Sequence, residues 1–349
     1  LDVTLVEGGS TLDPVDEVIS GRADFGVGGS TLVLDRARGR PVKAVASFFQ
    51  HSPFVIMARR GEHMDTPRDL EGRTLMVEAH AEELMAYLRL SGVDIGQVEQ
   101  VPHTGDITAL AADDPRGIDA ATVYRSTEPF LAVRAGIPVR LFDPADAGIP
   151  FYGDTLFTTD GYAARHPRRV AAVRDALIRG WKHALEHQDA VISHIIRRYD
   201  REQDRLHLGY EAQAIHDLMA TEYFDIGYMS VERWRRIADT FAEAGMLPGP
   251  VDTEAFLFEV REPLPVWIRQ ALLWLALLVV LASLAAHRFY RLNRALKADM
   301  AARAEAEESL WSARERLLRS EKLASLGRLV AGGAHEVNTP VGVAVAAAS

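Results

Sequence analysis

Short apolar runs alternate with amphipathic stretches over the first half of the chain. Runs of four or five residues rich in Val, Ile, Leu and Ala predict strands, and stretches with apolar residues three or four apart predict helices. The predicted strands are residues 3–6, 23–27, 42–46, 54–58, 74–77, 120–123 and 139–142, and the predicted helices are residues 14–20, 81–90 and 108–112. Strands that alternate with helices indicate an α/β fold.

Residues 167–245 have a different pattern, that of successive amphipathic helices. The helices predicted there are residues 168–187, 189–199, 211–223 and 231–244. A chain in which strands come first and helices pack later fits a two-lobed binding protein, in which the chain passes from one α/β lobe to another and back. We therefore expect residues 1–262 to form a two-lobed α/β ligand-binding domain.

An apolar stretch from Gln270 to His287 contains no charged side chain. With its flanking residues it reaches the roughly 20 residues that a helix needs to cross a bilayer. A buried core helix is the alternative, but such a helix normally keeps a polar stripe and this stretch has none. We therefore predict a transmembrane helix at residues 266–287.

The charges beside this stretch predict its orientation. Basic residues follow it at positions 288, 291, 294 and 297 before any acidic residue, whereas mainly acidic residues precede it. Because Lys and Arg accumulate on the cytoplasmic side of a span, we expect residues 1–265 in the periplasm, residues 288–349 in the cytoplasm and the helix in a bacterial inner membrane. Residues 287–349 have ten Lys and Arg against seven Asp and Glu, net +3, and the preceding residues have 29 against 42, net −13.

The composition excludes several classes of protein. The 349 residues have a formal net charge of −10, which argues against nucleic acid as a partner. Cysteine is absent, so disulfide frameworks, thiolate zinc sites and iron–sulfur clusters are excluded. The pair His183 and His187 has the spacing of helical zinc ligands but lacks the Glu of a His-Glu-x-x-His motif, so no metal site is predicted.

The long helical stretch after the apolar run ends in a candidate reactive centre. His335, Glu336 and Thr339 precede Pro340, which is expected to kink the helix. An exposed imidazole can act as a nucleophile, an adjacent carboxylate can take its proton, and a hydroxyl one turn away can position a water. For His-Glu alone, an ordinary surface histidine is the simpler interpretation.

The whole segment of residues 321–340 resembles the phosphoacceptor helix of sensor histidine kinases. This resemblance implies that His335 is the phosphoacceptor, that Glu336 assists its phosphorylation and that Thr339 belongs to a phosphatase motif. It further implies ATP and Mg²⁺ as cofactors, a homodimer, and a response regulator as partner. On this interpretation residues 288–322 are a signalling coiled coil and residues 323–349 begin a truncated dimerisation domain, and the chain is a fragment lacking the ATP-binding domain.

The first domain has candidate ligand contacts in four short segments, residues 21–30, 48–53, 127–130 and 151–158. Their glycines and polar side chains suit backbone N–H contacts to an anionic or carbonyl group, directional hydrogen bonds, an amine contact and ring stacking. The candidates are Gly28, Gly29, Ser30, Gln50, His51, Glu128, Tyr152 and Asp154. Five of them also have an ordinary structural interpretation: a tight turn for Gly28 and Gly29, a satisfied loop carbonyl for His51, an N-cap or salt bridge for Glu128, and a cap of the next turn for Asp154.

These segments resemble the NMT1/THI5-like group of periplasmic substrate-binding proteins. In that group a first strand and helix precede the strand that residues 3–6 are expected to represent, so the pocket is expected to be incomplete here. Together the two resemblances predict a membrane sensor histidine kinase, that is, an enzyme whose periplasmic domain binds a small planar or amine-bearing metabolite. The alternative is a membrane-tethered binding component of an ABC uptake transporter for a thiamine-pyrimidine-precursor or sulfonate-like ligand, and a third possibility is a chemoreceptor or cyclase.

Overall fold

A computed structural model describes residues 3–6, 8, 12–61, 63–199, 204–259 and 265–346, with side chains for all of these except residues 266 and 329–346. The chain divides into two units, Leu1–Arg261 and Glu262–Ser349. The first unit is an α/β structure with two sheets, and the second is dominated by one long helix.

The first unit contains eight strands in its described residues. They are β1 (Gly26–Gly28), β2 (Val42–Ser47), β3 (Phe54–Arg59), β4 (Thr74–Val77), β5 (Glu99–Pro102), β6 (Ala120–Tyr124), β7 (Val139–Phe142) and β8 (Thr155–Thr159). The smaller sheet has the order β1-β8-β2 and is antiparallel, and the larger has the order β5-β4-β6-β3-β7. In the larger sheet β4 runs parallel to both β5 and β6, and β3 runs antiparallel to β6 and β7.

Helices cover both sheets. They are α1 (Pro14–Ile19), α2 (Leu32–Ala37), α3 (Glu82–Leu90), α4 (Glu128–Arg134), α5 (Asp160–Arg165), α6 (Pro167–Glu186), α7 (Gln188–Arg198), α8 (Arg205–Met219), α9 (Val231–Glu243) and α10 (Thr253–Phe256). We call the smaller sheet with α1, α2 and α5–α10 lobe 1, and the larger sheet with α3 and α4 lobe 2. The chain crosses between the lobes twice, through residues 48–53 and through residues 143–154.

Each sheet is buried on both faces. Along β3, Val55 and Met57 enter one apolar cluster while Ile56 and Ala58 enter another, as the alternation of side chains in a strand requires. In lobe 1, Trp234 and Phe241 of α9 pack on one face of the sheet, and Val170 and Leu218 pack in the cluster on the other. The two-lobed α/β architecture predicted from the pattern is confirmed.

Two local predictions were wrong, and two strands were missed. Residues 3–6 form no strand, and Val3, Leu5 and Val6 are exposed, because no strand in the described residues pairs with them. The strands β5 and β8 were not predicted. Glu99 and Gln100 make β5 polar, whereas β8 has the β-branched and apolar residues of a strand and was considered only as part of a candidate ligand segment. The helix predicted at residues 108–112 is a single tight turn, Ile107–Leu110.

The second unit contains α11, which runs without interruption over Val266–Ala346. Among the described residues this is the one helix that is long and apolar enough to cross a membrane, with an 18-residue window of mean hydropathy 2.1 and no burial within the chain. The structure places no boundary between the predicted span at residues 266–287 and the segments that follow it, so the boundaries at residues 288 and 323 stay predictions.

Candidate functional site

Three parallel strands of lobe 2 end at one edge of the sheet, beside the crossings to lobe 1. Glu78 follows β4, His103 follows β5, and Tyr124 is the last residue of β6. Because β4 pairs in parallel with both β5 and β6, these three residues lie along the same carboxyl edge. In α/β sheets this edge is where ligands bind.

Glu78 and His103 are in direct contact at this edge. The Glu78 Oε1 atom lies 3.1 Å from His103 Nδ1, and the Gly105 N–H lies 3.0 Å from the same nitrogen. Nδ1 cannot donate to Glu78 and accept from Gly105 at once, so only one of the two contacts is a hydrogen bond. In either case His103 Nε2 has no hydrogen-bond partner among the described residues, although the side chain is only 4% exposed.

Two further acids, Glu128 and Asp154, lie near the Tyr124 ring. The Tyr124 N–H donates to Glu128 Oε2 over 2.9 Å, and burial raises the pKa of Glu128. Burial also raises the pKa of Asp154, to about 6, and its carboxylate has no hydrogen bond or salt bridge within the described residues. Burial first, and then the charges of Asp154, Glu78, Glu83 and Glu128, raise the pKa of the Tyr124 hydroxyl. The site is therefore strongly acidic.

The predicted Gly28-Gly29-Ser30 loop lies at the junction of the lobes. The Ser30 N–H donates to Glu83 Oε1 over 2.7 Å, and the Ser52 hydroxyl donates to Glu83 Oε2 over 2.6 Å. A Cβ atom on Gly29 would lie 2.6 Å from Glu83 Oε1, so the carboxylate approaches closely because this residue is glycine. The backbone donors that the sequence suggested for an external anion are occupied by a carboxylate of the chain itself.

Gln50 and Tyr152 stabilise the two crossings between the lobes and do not belong to the acidic carboxyl edge of lobe 2. The Gln50 amide donates to the Tyr228 carbonyl over 2.9 Å and accepts from Arg233 over 3.3 Å. The Tyr152 ring is fully buried, with the Arg233 guanidinium 4.0 Å from its centroid and the Trp234 ring 5.3 Å away. In this structure the Tyr152 ring is in contact with Arg233 and Trp234 of the chain itself, and its expected stacking on a ligand stays a prediction.

The remaining predicted residues have separate placements. The His51 side chain is exposed, and the His51 backbone N–H donates to the Leu218 carbonyl over 3.1 Å. Glu128 and Asp154 lie at the acidic edge, as described above. His335, Glu336 and Thr339 belong to α11, but their side chains lie outside the described residues, so their predicted roles stay predictions.

Sequence reasoning missed Glu78 and Glu83, and it counted His103 among scattered histidines. Ser52 lies in the candidate segment 48–53, where side chains that form directional hydrogen bonds were expected. The positions of the two acids along the sequence could have identified them as candidates. Glu78 directly follows a predicted strand, and Glu83 is in the first turn of a predicted helix. His103 follows β5, whose strand character was not recognised, so its place at the carboxyl edge could not be inferred.

A separate concave surface lies on the helices of lobe 1. It has a volume of about 480 Å³ between α6, α7 and α8, and its lining is apolar apart from Gln188 and Glu211. None of the predicted ligand residues contributes to it, so it is separate from the acidic cleft.

Comparisons with known proteins identify the family of this chain. Residues 1–191 match the family model described as NMT1/THI5 like. The chain belongs to the NMT1/THI5-like family. Since this match covers more than half of the chain, the resemblance inferred from the sequence motifs is confirmed for the first domain.

Curated relatives of this NMT1/THI5-like chain are binding proteins. It is 23% identical to the riboflavin-binding protein RibY of Chloroflexus aurantiacus, over 67% of this chain and 69% of that protein. It is 22% identical to the formylaminopyrimidine-binding protein of Halalkalibacterium halodurans, over 73% of this chain and 79% of that protein.

Solved structures share the fold. The alkanesulfonate-binding protein SsuA from Xanthomonas axonopodis pv. citri, bound to MOPS, has a TM-score of 0.53 at 17% identity, covering 70% of this chain and 83% of its own. The periplasmic aliphatic sulphonate binding protein SsuA from Escherichia coli has a TM-score of 0.51 at 17% identity, covering 70% and 82%. Binding proteins with this fold work outside the cytoplasm.

These findings overturn one prediction. The family and the curated relatives are substrate-binding proteins rather than kinases, so the prediction that the chain is a protein-histidine kinase is wrong. The matches give no support to a response regulator or a homodimer as partners, and they do not bear on ATP and Mg²⁺.

Proposed function

We propose that this chain is a membrane-tethered substrate-binding protein of an ABC uptake system, and that its ligand is a small, planar, amine-bearing heterocycle. The observation that supports the ligand class is the acidic carboxyl edge of lobe 2. Glu78, Glu128 and Asp154 lie there, and none of them forms a salt bridge with Lys or Arg in the described part of the chain.

Partly buried carboxylates without a Lys or Arg partner favour a ligand that brings N–H donors or positive charge, since an uncompensated buried charge is costly. The exposed Tyr124 ring, 4.5 Å from the Phe54 ring, offers an aromatic surface to a planar group. His103 Nε2 offers one more hydrogen bond beside Glu78. An aminopyrimidine has both the flat ring and the N–H donors, and the formylaminopyrimidine-binding relative is consistent with that choice.

The same features disfavour a sulfonate. A sulfonate brings a full negative charge and only acceptor atoms, so it would be repelled by the three carboxylates. Although the sulfonate-binding proteins share the fold, a shared fold does not imply a shared ligand.

The tether is α11. Its charge-free stretch has the length and composition of a single span, and the basic residues that follow it favour a cytoplasmic location for the later part of the helix. On this proposal residues 1–265 lie in the periplasm, and the cleft is accessible to ligand that has crossed the outer membrane.

The test is calorimetric titration of the full chain in detergent with a formylaminopyrimidine, riboflavin and ethanesulfonate. We expect the aminopyrimidine to bind and ethanesulfonate to give no heat. Glu128→Gln should weaken aminopyrimidine binding about tenfold, the loss of one charge-assisted hydrogen bond. The matched control is Glu232→Gln on α9, an exposed acid whose one salt bridge among the described residues is to Arg235 and which should leave the affinity unchanged. Tighter binding of ethanesulfonate than of either heterocycle would contradict the proposed ligand class.

A further inference from the structure

One carboxylate joins the two lobes. Glu83, in the first turn of α3 in lobe 2, has a side chain that is almost completely buried. Its Oε1 atom accepts the N–H of Ser30 from lobe 1 over 2.7 Å, and its Oε2 atom accepts the hydroxyl of Ser52 from the first crossing over 2.6 Å. The donors thus come from lobe 1 and the crossing, whereas the acceptor comes from lobe 2.

This set of donors suits an anion. A backbone N–H and a hydroxyl that converge on two oxygen atoms form charge-assisted hydrogen bonds with a carboxylate, and they could do the same with the oxygens of a sulfonate or an external carboxylate. No Lys or Arg in the described residues forms a salt bridge with Glu83. The site therefore has room for one carboxyl-sized group. Glu83 fills it in both protonation states and supplies an anion above its pKa of about 7.

The loop is built to admit this side chain. Gly29 has no Cβ, and a Cβ there would lie 2.6 Å from Glu83 Oε1. The Ser30 hydroxyl is held in place from the second crossing, because it donates to the Tyr152 carbonyl over 3.1 Å and accepts the Tyr152 N–H over 2.8 Å. The donors are thus fixed in position independently of Glu83, and they would remain if its side chain were removed.

We propose that Glu83 is a specificity-determining residue of the cleft: its carboxylate acts as an internal anion that occupies the Ser30 and Ser52 donors and thereby excludes acidic ligands. This inference rests on the proposed binding function of the cleft and adds the reason why acidic ligands are refused. Loss of the carboxylate should leave a vacant position with the shape and hydrogen-bonding capacity of a small anion.

The test is rescue of a variant by the missing group. Glu83→Ala in the full chain should lower Tm, and millimolar acetate or methanesulfonate should then raise Tm by a few degrees in a concentration-dependent manner. The wild type should show no such response, because its position is filled. The matched control is Ser52→Ala, which removes one hydrogen bond to Glu83 but leaves the carboxylate in place, so it should be less stable and still indifferent to both anions.

Three outcomes would overturn the inference: stabilisation of the wild type by the same anions, a folded Glu83→Ala protein that does not respond to them, or an equal response of Ser52→Ala. Glu83→Ser provides a second variant with the same vacancy and a polar side chain if Glu83→Ala does not fold, and the wild-type titration is decisive without either. Because this test uses anions, its failure is distinct from failure of the aminopyrimidine titration, which tests the ligand of the wild-type cleft.

Discussion

At the scale of single residues, Glu83 makes stability depend on pH. Burial raises its pKa from the usual 4.5 to about 7, and the hydrogen bonds from Ser52 and Ser30 oppose this only in part. Between these two values the unfolded chain has released the proton while the folded chain keeps it, so the free energy of unfolding falls as pH rises. A pKa shift of this size lowers the free energy of unfolding by about 3 kcal/mol, and this loss is complete above pH 7.

We expect Glu83→Gln to remove this part of the pH dependence, because an amide does not titrate. The measurement is urea unfolding of the full chain in detergent at a series of pH values from 4.5 to 8, for the wild type and the variant. Deprotonation of Asp154 also lowers the free energy of unfolding as pH rises, over a lower pH range. Because Asp154 is present in both proteins, its effect cancels when the two free energies are subtracted. Parallel profiles for the two proteins would show that Glu83 titrates normally.

At the scale of elements, Arg233 of α9 joins the two crossings. Its guanidinium donates to the Gln50 carbonyl and Oε1 atom in the first crossing and to the carbonyls of Pro150 and Phe151 in the second. No carboxylate pairs with it among the described residues, and burial lowers its pKa. Its role is thus to supply donors to main-chain acceptors that would otherwise be unpaired.

Arg233→Met should therefore destabilise the chain by about 2–4 kcal/mol, since it keeps much of the side-chain volume but leaves several part-buried acceptors without donors. Urea unfolding provides the measurement. Arg235→Met on the same helix is the matched control: this exposed residue pairs only with Glu232, and its loss should change stability by less than about 0.5 kcal/mol. Equal effects of the two substitutions would exclude the role given to Arg233.

The sequence predicts these elements unevenly, for physical reasons. Strands β3, β4 and β6 are predicted within one residue because they are interior strands that are apolar on both faces, whereas β5 is an edge strand with exposed Glu99 and Gln100 and has no such signal. The loop at Ser30 could be picked out from its glycines, but the carboxylate that it binds, Glu83, is 53 residues away in sequence. Contacts between lobes have no local periodicity, so no pattern along the chain predicts them.

At the scale of the whole molecule, the charge asymmetry and α11 together predict how the chain lies in a membrane. The net charge is −13 before residue 287 and +3 from there on, and the described apolar window of α11 has no cover within the chain. A bilayer would cover this stretch, and the basic residues after it would stay on the cytoplasmic side. The cleft and the later part of α11 should then be accessible from opposite sides.

The chain contains no cysteine, which makes this orientation directly measurable. We expect a single cysteine at Asp113, exposed in lobe 2, to react with a membrane-impermeant maleimide applied to spheroplasts, and a single cysteine at Ser320, exposed on α11, to react only after permeabilisation. Labelling of Ser320→Cys alone in sealed spheroplasts would reverse the orientation, and labelling of both would mean that α11 does not span the bilayer. Protection of both until permeabilisation would place the cleft in the cytoplasm, where it could not receive ligand from outside and the uptake function would fail with it.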